Sequence, residues 1–139
     1  LLNTRGDRYK QFQRGVEQIE EEGGIQLLHP VDSGSREPIL AAVGALQFDV
    51  VQHRLEAEYG VETRLEQLGY EFARWVRGTP ADLSSLGNGR GRLRCEDRFG
   101  NQVVLFSTRY DLAYAQENFS SITFSTTVWD VRDLEVAAT

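Results

Sequence analysis

The stretch from Pro38 to Gly60 most limits what this chain can become. It holds an uncharged apolar run, a glycine, and then apolar residues at helical spacing. Ile39 to Val43 reads as a strand covered on both faces, because no polar residue interrupts it. Pro38 opens that strand at a position that need not donate to a neighbour. Gly44 is expected to reverse the chain with a positive φ, which glycine adopts at no steric cost. Phe48, Val51, Leu55 and Tyr59 then form one apolar stripe of a helix. Leu46, Val50 and Ala57 form a second, thinner stripe on nearly the opposite side, so this helix is expected to be covered from two directions. Gly60 stands at its C-cap.

The segments around this unit follow the same logic. Asp7 is a candidate N-cap for a helix from Arg8 to Glu22 whose stripe is Tyr9, Phe12, Val16 and Ile19. Gly15 within it costs about 1 kcal/mol relative to alanine, which points to a close packing contact. Arg8, Lys10 and Arg14 at its start and Glu20, Glu21 and Glu22 at its end all oppose the helix dipole, so tertiary contacts must hold it. Ile25 to His29 reads as a short strand, and His29 to Glu37 as a hairpin loop exposing Asp32, Arg36 and Glu37. Val61 to Leu68 alternates as a half-exposed strand. Phe72 to Arg77 is a further strand, followed by a helix of one or two turns with Pro80 at its first position. Leu93 to Asp97 and Gln102 to Ser107 flank Phe99-Gly100-Asn101 as a hairpin. Thr108 caps a helix with Asp111 in its first turn and Leu112, Ala115 and Phe119 on its buried side. Ile122 to Trp129 is the closing strand, and residues 131–139 form a tail. Strands outnumber helices and the hairpin links favour antiparallel pairing, so the expected class is α+β, with helices on a mainly antiparallel sheet.

At 139 residues the chain holds one domain with a real core. It contains no methionine, which suggests a piece of something longer. No apolar run approaches the roughly 20 residues of a membrane span, so no membrane partner is expected. The single cysteine, Cys95, has no internal disulfide partner and fits a reducing cytoplasm. The net charge of −6 speaks against a free-standing DNA-binding domain and confines any RNA contact to a local patch.

Catalytic and metal constellations are missing from the pattern. His29 and His53 have no histidine or cysteine at ligand spacing, and Cys95 has no local base. Glu20, Glu21 and Glu22 point in different directions on a helix and read as a solvated end. Gly87-Asn88-Gly89-Arg90-Gly91 lacks the Lys-Ser/Thr ending of a phosphate loop. Arg90, Arg92 and Arg94, on what reads as a pliable backbone, are candidates for gripping RNA phosphates. Arg5, Arg8, Lys10 and Arg14 are a second cationic group, suited to RNA or to a sister domain. Trp75 reads as a core residue rather than a base-stacking one, leaving Arg74 on the other face as the candidate contact.

The run Ile39 to Val51 resembles the C-terminal domain of peptide chain release factor three, a bacterial translational GTPase. Gly15 to Gln26, Arg54 to Val61 and Phe72 to Val76 match that domain in the same order. The first half also resembles the third domain of elongation factor G, which implies a ferredoxin-like unit there. The resemblance implies a single C-terminal domain over residues 1–139. Residues 8–69 would be the part like elongation factor G, 70–130 a family-specific part and 131–139 the tail. It further implies a cytoplasmic module that binds the ribosome through small-subunit RNA and protein. Its factor would drive recycling of class I release factors in translation termination. GTP, with magnesium, would belong to a separate N-terminal domain, so this fragment is expected to catalyse nothing and bind no nucleotide. Its own GTPase domains are the other implied partners. Arg8, Arg14, Arg74, Arg90, Arg92 and Arg94 are the candidate ribosome or interdomain contacts. Two rivals remain: a stand-alone acidic protein-interaction module, and a small enzyme, which would require a polar pocket of perturbed titratable groups.

Overall fold

Helix α1 (Tyr9–Glu21) forms where the three-and-four spacing of Phe12, Val16 and Ile19 gives one side something to bury. All three side chains are buried in the computed structural model, which describes residues 2–3, 8–31, 38–42, 44–87 and 89–126. The expected cap Asp7, the cation Arg5, the loop residues Asp32, Arg36 and Glu37, Val43, Asn88, Trp129 and the 131–139 tail lie outside the described residues. The chain divides into two units, Leu1–His29 with Ser33–Leu68, and Pro30–Asp32 with Gly69–Thr139. Within each unit the strand pairings are antiparallel and helices cover the strands, giving the expected α+β class.

In the first unit, α1 packs on α2 (Leu46–Tyr59) through Val51 and Leu55, and Ile25, Leu27 and Val61 close the same core. Strand β2 (Gln26–Pro30) pairs with β3 (Ile39–Ala41), setting Leu27 opposite Leu40 on the side of that core. Short strand β1 (Leu2–Asn3) pairs with β4 (Thr63–Arg64). Gly15 is where α1 and α2 approach most closely. A Cβ there would stand 2.6 Å from Leu55 Cδ2 and 3.0 Å from Tyr59 Cδ2, the packing contact its position predicts. Gly60 ends α2 in the left-handed region, φ 67°, where it frees the carbonyls of the last turn to be closed by the Gly60 and Val61 N–H groups.

Four expectations fail here. The residues of β3 are half-buried rather than covered on both faces, and the strand stops at Ala41. Gly44 takes no positive φ. Instead its carbonyl accepts the Gln47 N–H at 3.2 Å and the Ala45 carbonyl accepts the Phe48 N–H at 3.1 Å, so the chain winds into α2 through right-handed turns. The second stripe of α2 is not covered: Leu46 is 74% and Val50 50% exposed, and Ala57 is exposed too. Of the strand expected over 61–68, only Thr63–Arg64 joins a ladder.

The second unit is built on a sheet in the order β6–β7–β5–β8. Its strands are β5 (Phe72–Arg77), β6 (Arg92–Glu96), β7 (Gln102–Phe106) and β8 (Thr123–Ser125). Side chains alternate across it. Val76, Val104 and Phe106 meet Leu83 and Leu86 of α3 (Pro80–Gly87) and Leu112 and Ala115 of α4 (Arg109–Asn118). Trp75, Cys95, Val103 and Leu105 are buried on the other face. Pro80 opens α3, with the Thr79 hydroxyl accepting the Asp82 N–H, and the Thr108 hydroxyl accepts the Asp111 N–H to cap α4. The β6–β7 hairpin begins one residue earlier than expected. Asp97 is released from the strand to hold the turn, accepting from the Phe99 and Asn101 N–H groups at 2.9 Å each. Strand β8 is shorter than the segment expected over 122–129.

Candidate interaction surface

Among the charges that oppose the α1 dipole, Arg8, Glu20 and Glu22 hold partners on neighbouring elements. Arg8, just before the helix, donates to the Gly60 carbonyl at the end of α2. Glu20 accepts the Leu27 N–H at the start of β2, at 2.5 Å. Glu22 pairs with Arg54 of α2, which also holds Glu58 at 3.0 Å one turn along its own helix. The Glu22 carboxyl lies below its ordinary pKa because of that Arg54 hydrogen bond, and Arg54 is raised chiefly by Glu22 and then by Glu58. The acidic run read as a solvated end therefore joins α1 to its neighbours through Glu20 and Glu22, and Arg8 is a structural tie.

The other candidate arginines part company as well. Arg14 is exposed on α1, and Arg90 is exposed in the turn before β6. Arg92 and Arg94 are not on a loop. They occupy β6 opposite Phe106 and Val104, on the face that α3 and α4 cover. Arg92 lies over the Phe119 ring, 5.5 Å from its centre, and its guanidinium fills the space beside Gly89. Arg94 donates from Nε to Gln102 at 2.8 Å, and its stem lies against Gly87, where a Cβ would meet it at 2.8 Å. Arg74 shares this face, its register partner in β7 being Val104; it donates to the Ala73 carbonyl and sits 5.9 Å from the Phe72 ring. Trp75 is core, 5% exposed, with its indole N–H on Asp97 at 3.2 Å.

Among the described residues the histidines and the cysteine stand apart. His29 and His53 are exposed in separate elements, and no group of three metal-ligating side chains occurs among the described residues. Cys95 is buried, and burial pushes its thiol up to about 12, so it stays protonated near neutrality. No helix among the described residues is long and apolar enough to cross a membrane. The residues that sequence reasoning missed are Arg54 and the aromatic pair Tyr110 and Tyr114, 84% and 59% exposed on α4. The pair was findable: at helical spacing, 110 and 114 fall on the side away from Leu112 and Ala115.

The charge is distributed unevenly along the chain. Residues 69–126 carry seven arginines against six acidic residues, and residues 8–31 and 38–68 five cations against nine. Residues 3–116 match the family model for class II release factor RF3, C-terminal domain.

The chain belongs to that family.

Its relatives agree. Peptide chain release factor 3 of Microcystis aeruginosa is 47% identical over 122 residues, covering 88% of this chain and 22% of the relative. The factor of Acaryochloris marina is 48% identical over 112 residues, covering 81% and 21%. That of a Cyanothece strain is 49% identical over 112 residues, covering 80% and 20%. The chain thus spans about a fifth of the length of these release factors and corresponds to their C-terminal domain.

Proposed function

We propose that this domain is the ribosome-contacting lever of a translational GTPase that recycles class I release factors during termination. The observation that carries the reading is the match of residues 3–116 to the C-terminal domain of the class II factor, in a chain spanning a fifth of its relatives. GTP and its magnesium are held and hydrolysed elsewhere in the full-length factor. The packed units of this domain pass the nucleotide state to the ribosome by rigid-body movement. The packed core of each unit supports that role.

Within this reading the six candidate arginines divide by what they already hold. Arg8, Arg92 and Arg94 serve the domain's own packing, and Arg74 lies half-buried on the helix-covered face of the sheet. Arg14 and Arg90 are the exposed cations that reach RNA phosphates or an acidic protein surface. Reversing Arg90 to glutamate in the full-length factor weakens its association with ribosomes by about tenfold and lowers the salt dependence of binding by about one charge. Unchanged association and an unchanged salt slope would remove the Arg90 turn from the contact.

A further inference from the structure

Helix α4 holds two large rings in water. Tyr110 and Tyr114 are separated by one turn, about 6 Å along the axis, while Leu112 and Ala115 hold the helix to the core. The rest of that exposed side is Ala113, Glu117 and Asn118, so it offers no Leu, Ile or Val. Aliphatic anchors of the kind that fill a protein groove stand on α2, at Leu46 and Val50, and not on this side of α4.

Cations stand at one end of the rings. Arg109 is exposed in the first turn of α4. The turn that carries Arg90 is fastened to the same place: the Gly91 carbonyl accepts the Ser107 N–H at 2.9 Å, and a Cβ at Gly91 would meet the Asp111 carboxylate at 2.6 Å. Asp111 itself is occupied, accepting the Thr108 hydroxyl at 2.9 Å. Glu117 follows Tyr114 by three residues, less than a turn, at the end of the pair away from Arg109. Two guanidinium groups followed by two flat ring faces complement a polyanion with exposed bases.

We propose that the Tyr110 and Tyr114 face of α4, with Arg90 and Arg109 at its end, stacks unpaired RNA bases of the ribosome. The inference deepens the ribosome-contact reading above and rests on it. The rings give sequence-tolerant stacking, and the arginines meet the adjoining phosphates. Bases in duplex RNA have no free ring face, so the target is a loop, bulge or end. Trp75, read from the sequence as a core residue, is buried and takes no part.

The test uses the full-length factor and 70S ribosomes. Replacing Tyr110→Ala and Tyr114→Ala together weakens ribosome association by tenfold or more, while Tyr110→Phe with Tyr114→Phe restores it to within about twofold, because stacking needs the ring and not the hydroxyl. Ultraviolet cross-linking joins wild-type α4 to unpaired ribosomal RNA. Phenylalanine variants as weak as the alanine ones, or cross-links from α4 to ribosomal protein alone, would overturn the proposal. So would unchanged binding by the alanine pair in a factor that still recycles, an outcome that leaves the broader reading standing. A wild-type factor that neither binds ribosomes nor recycles would instead sink the broader reading.

Discussion

At Gly15 two effects of opposite sign compete. Alanine is the better helix former by about 1 kcal/mol, but its Cβ would stand 2.6 Å from Cδ2 of Leu55, which is fully buried and has nowhere to turn. Overpacking of this kind costs about 1–3 kcal/mol. Gly15→Ala is therefore expected to destabilise the chain by about 1 kcal/mol in urea unfolding, where helix propensity alone predicts a gain of about that size. Glu22 supplies a test with a pH sign. Its carboxyl is lowered by Arg54, so the pair contributes stability above the ordinary carboxylate pKa and loses it as pH falls through the lowered value. Glu22→Gln should unfold more easily than wild type near pH 6, and the difference should vanish once wild-type Glu22 is protonated. A difference that persists at low pH would mean that the ion pair is not its source.

Among the elements, the β6–β7 hairpin depends on one carboxylate. Asp97 accepts from the Phe99 and Asn101 backbones, from Asn101 Nδ2 at 3.0 Å and from the Trp75 indole. Asp97→Ala leaves the turn open and the buried indole N–H without its partner, and is expected to cost about 2 kcal/mol, read from the urea midpoint. The elements that could be read from sequence are those with local signals. Gly60 at a helix end, Thr108 before an acidic first turn, Pro80 at the start of α3 and the apolar weight of Phe72 to Arg77 each act within a few residues. What could not be read depends on neighbours far along the chain. Ile39 to Ala41 carries the composition of a fully buried strand, but burial is set by what packs against it. Nothing near Gly44 in sequence distinguishes a left-handed reversal from two right-handed turns. Arg92 reads as a loop cation because glycines precede it, and Arg94, though inside the expected strand, is grouped with it as a contact. Their place on the helix-covered face follows from the register of β6 with β7. Tyr110 and Tyr114 are not subject to that limit, because helical spacing alone puts them on the side of α4 away from Leu112 and Ala115.

For the whole molecule, the acidic net charge first counted against RNA contact. Residues 69–126 ease that objection, with cations slightly in excess and all of them arginine. The planar, weakly hydrated guanidinium suits phosphate and base faces better than an ammonium group does. In the first unit part of the acid is spent on joining α1 to α2 and β2. The proposed role of this domain is contact and leverage, with the bond-breaking chemistry left to other parts of the full-length factor. The most direct measurement is the rate at which a class I release factor leaves post-termination ribosomes. It would be followed by stopped-flow fluorescence with the full-length factor and with one ending before this domain. The account predicts that the shortened factor still binds GTP in solution yet fails to accelerate departure. Acceleration equal to that of the full-length factor would contradict it.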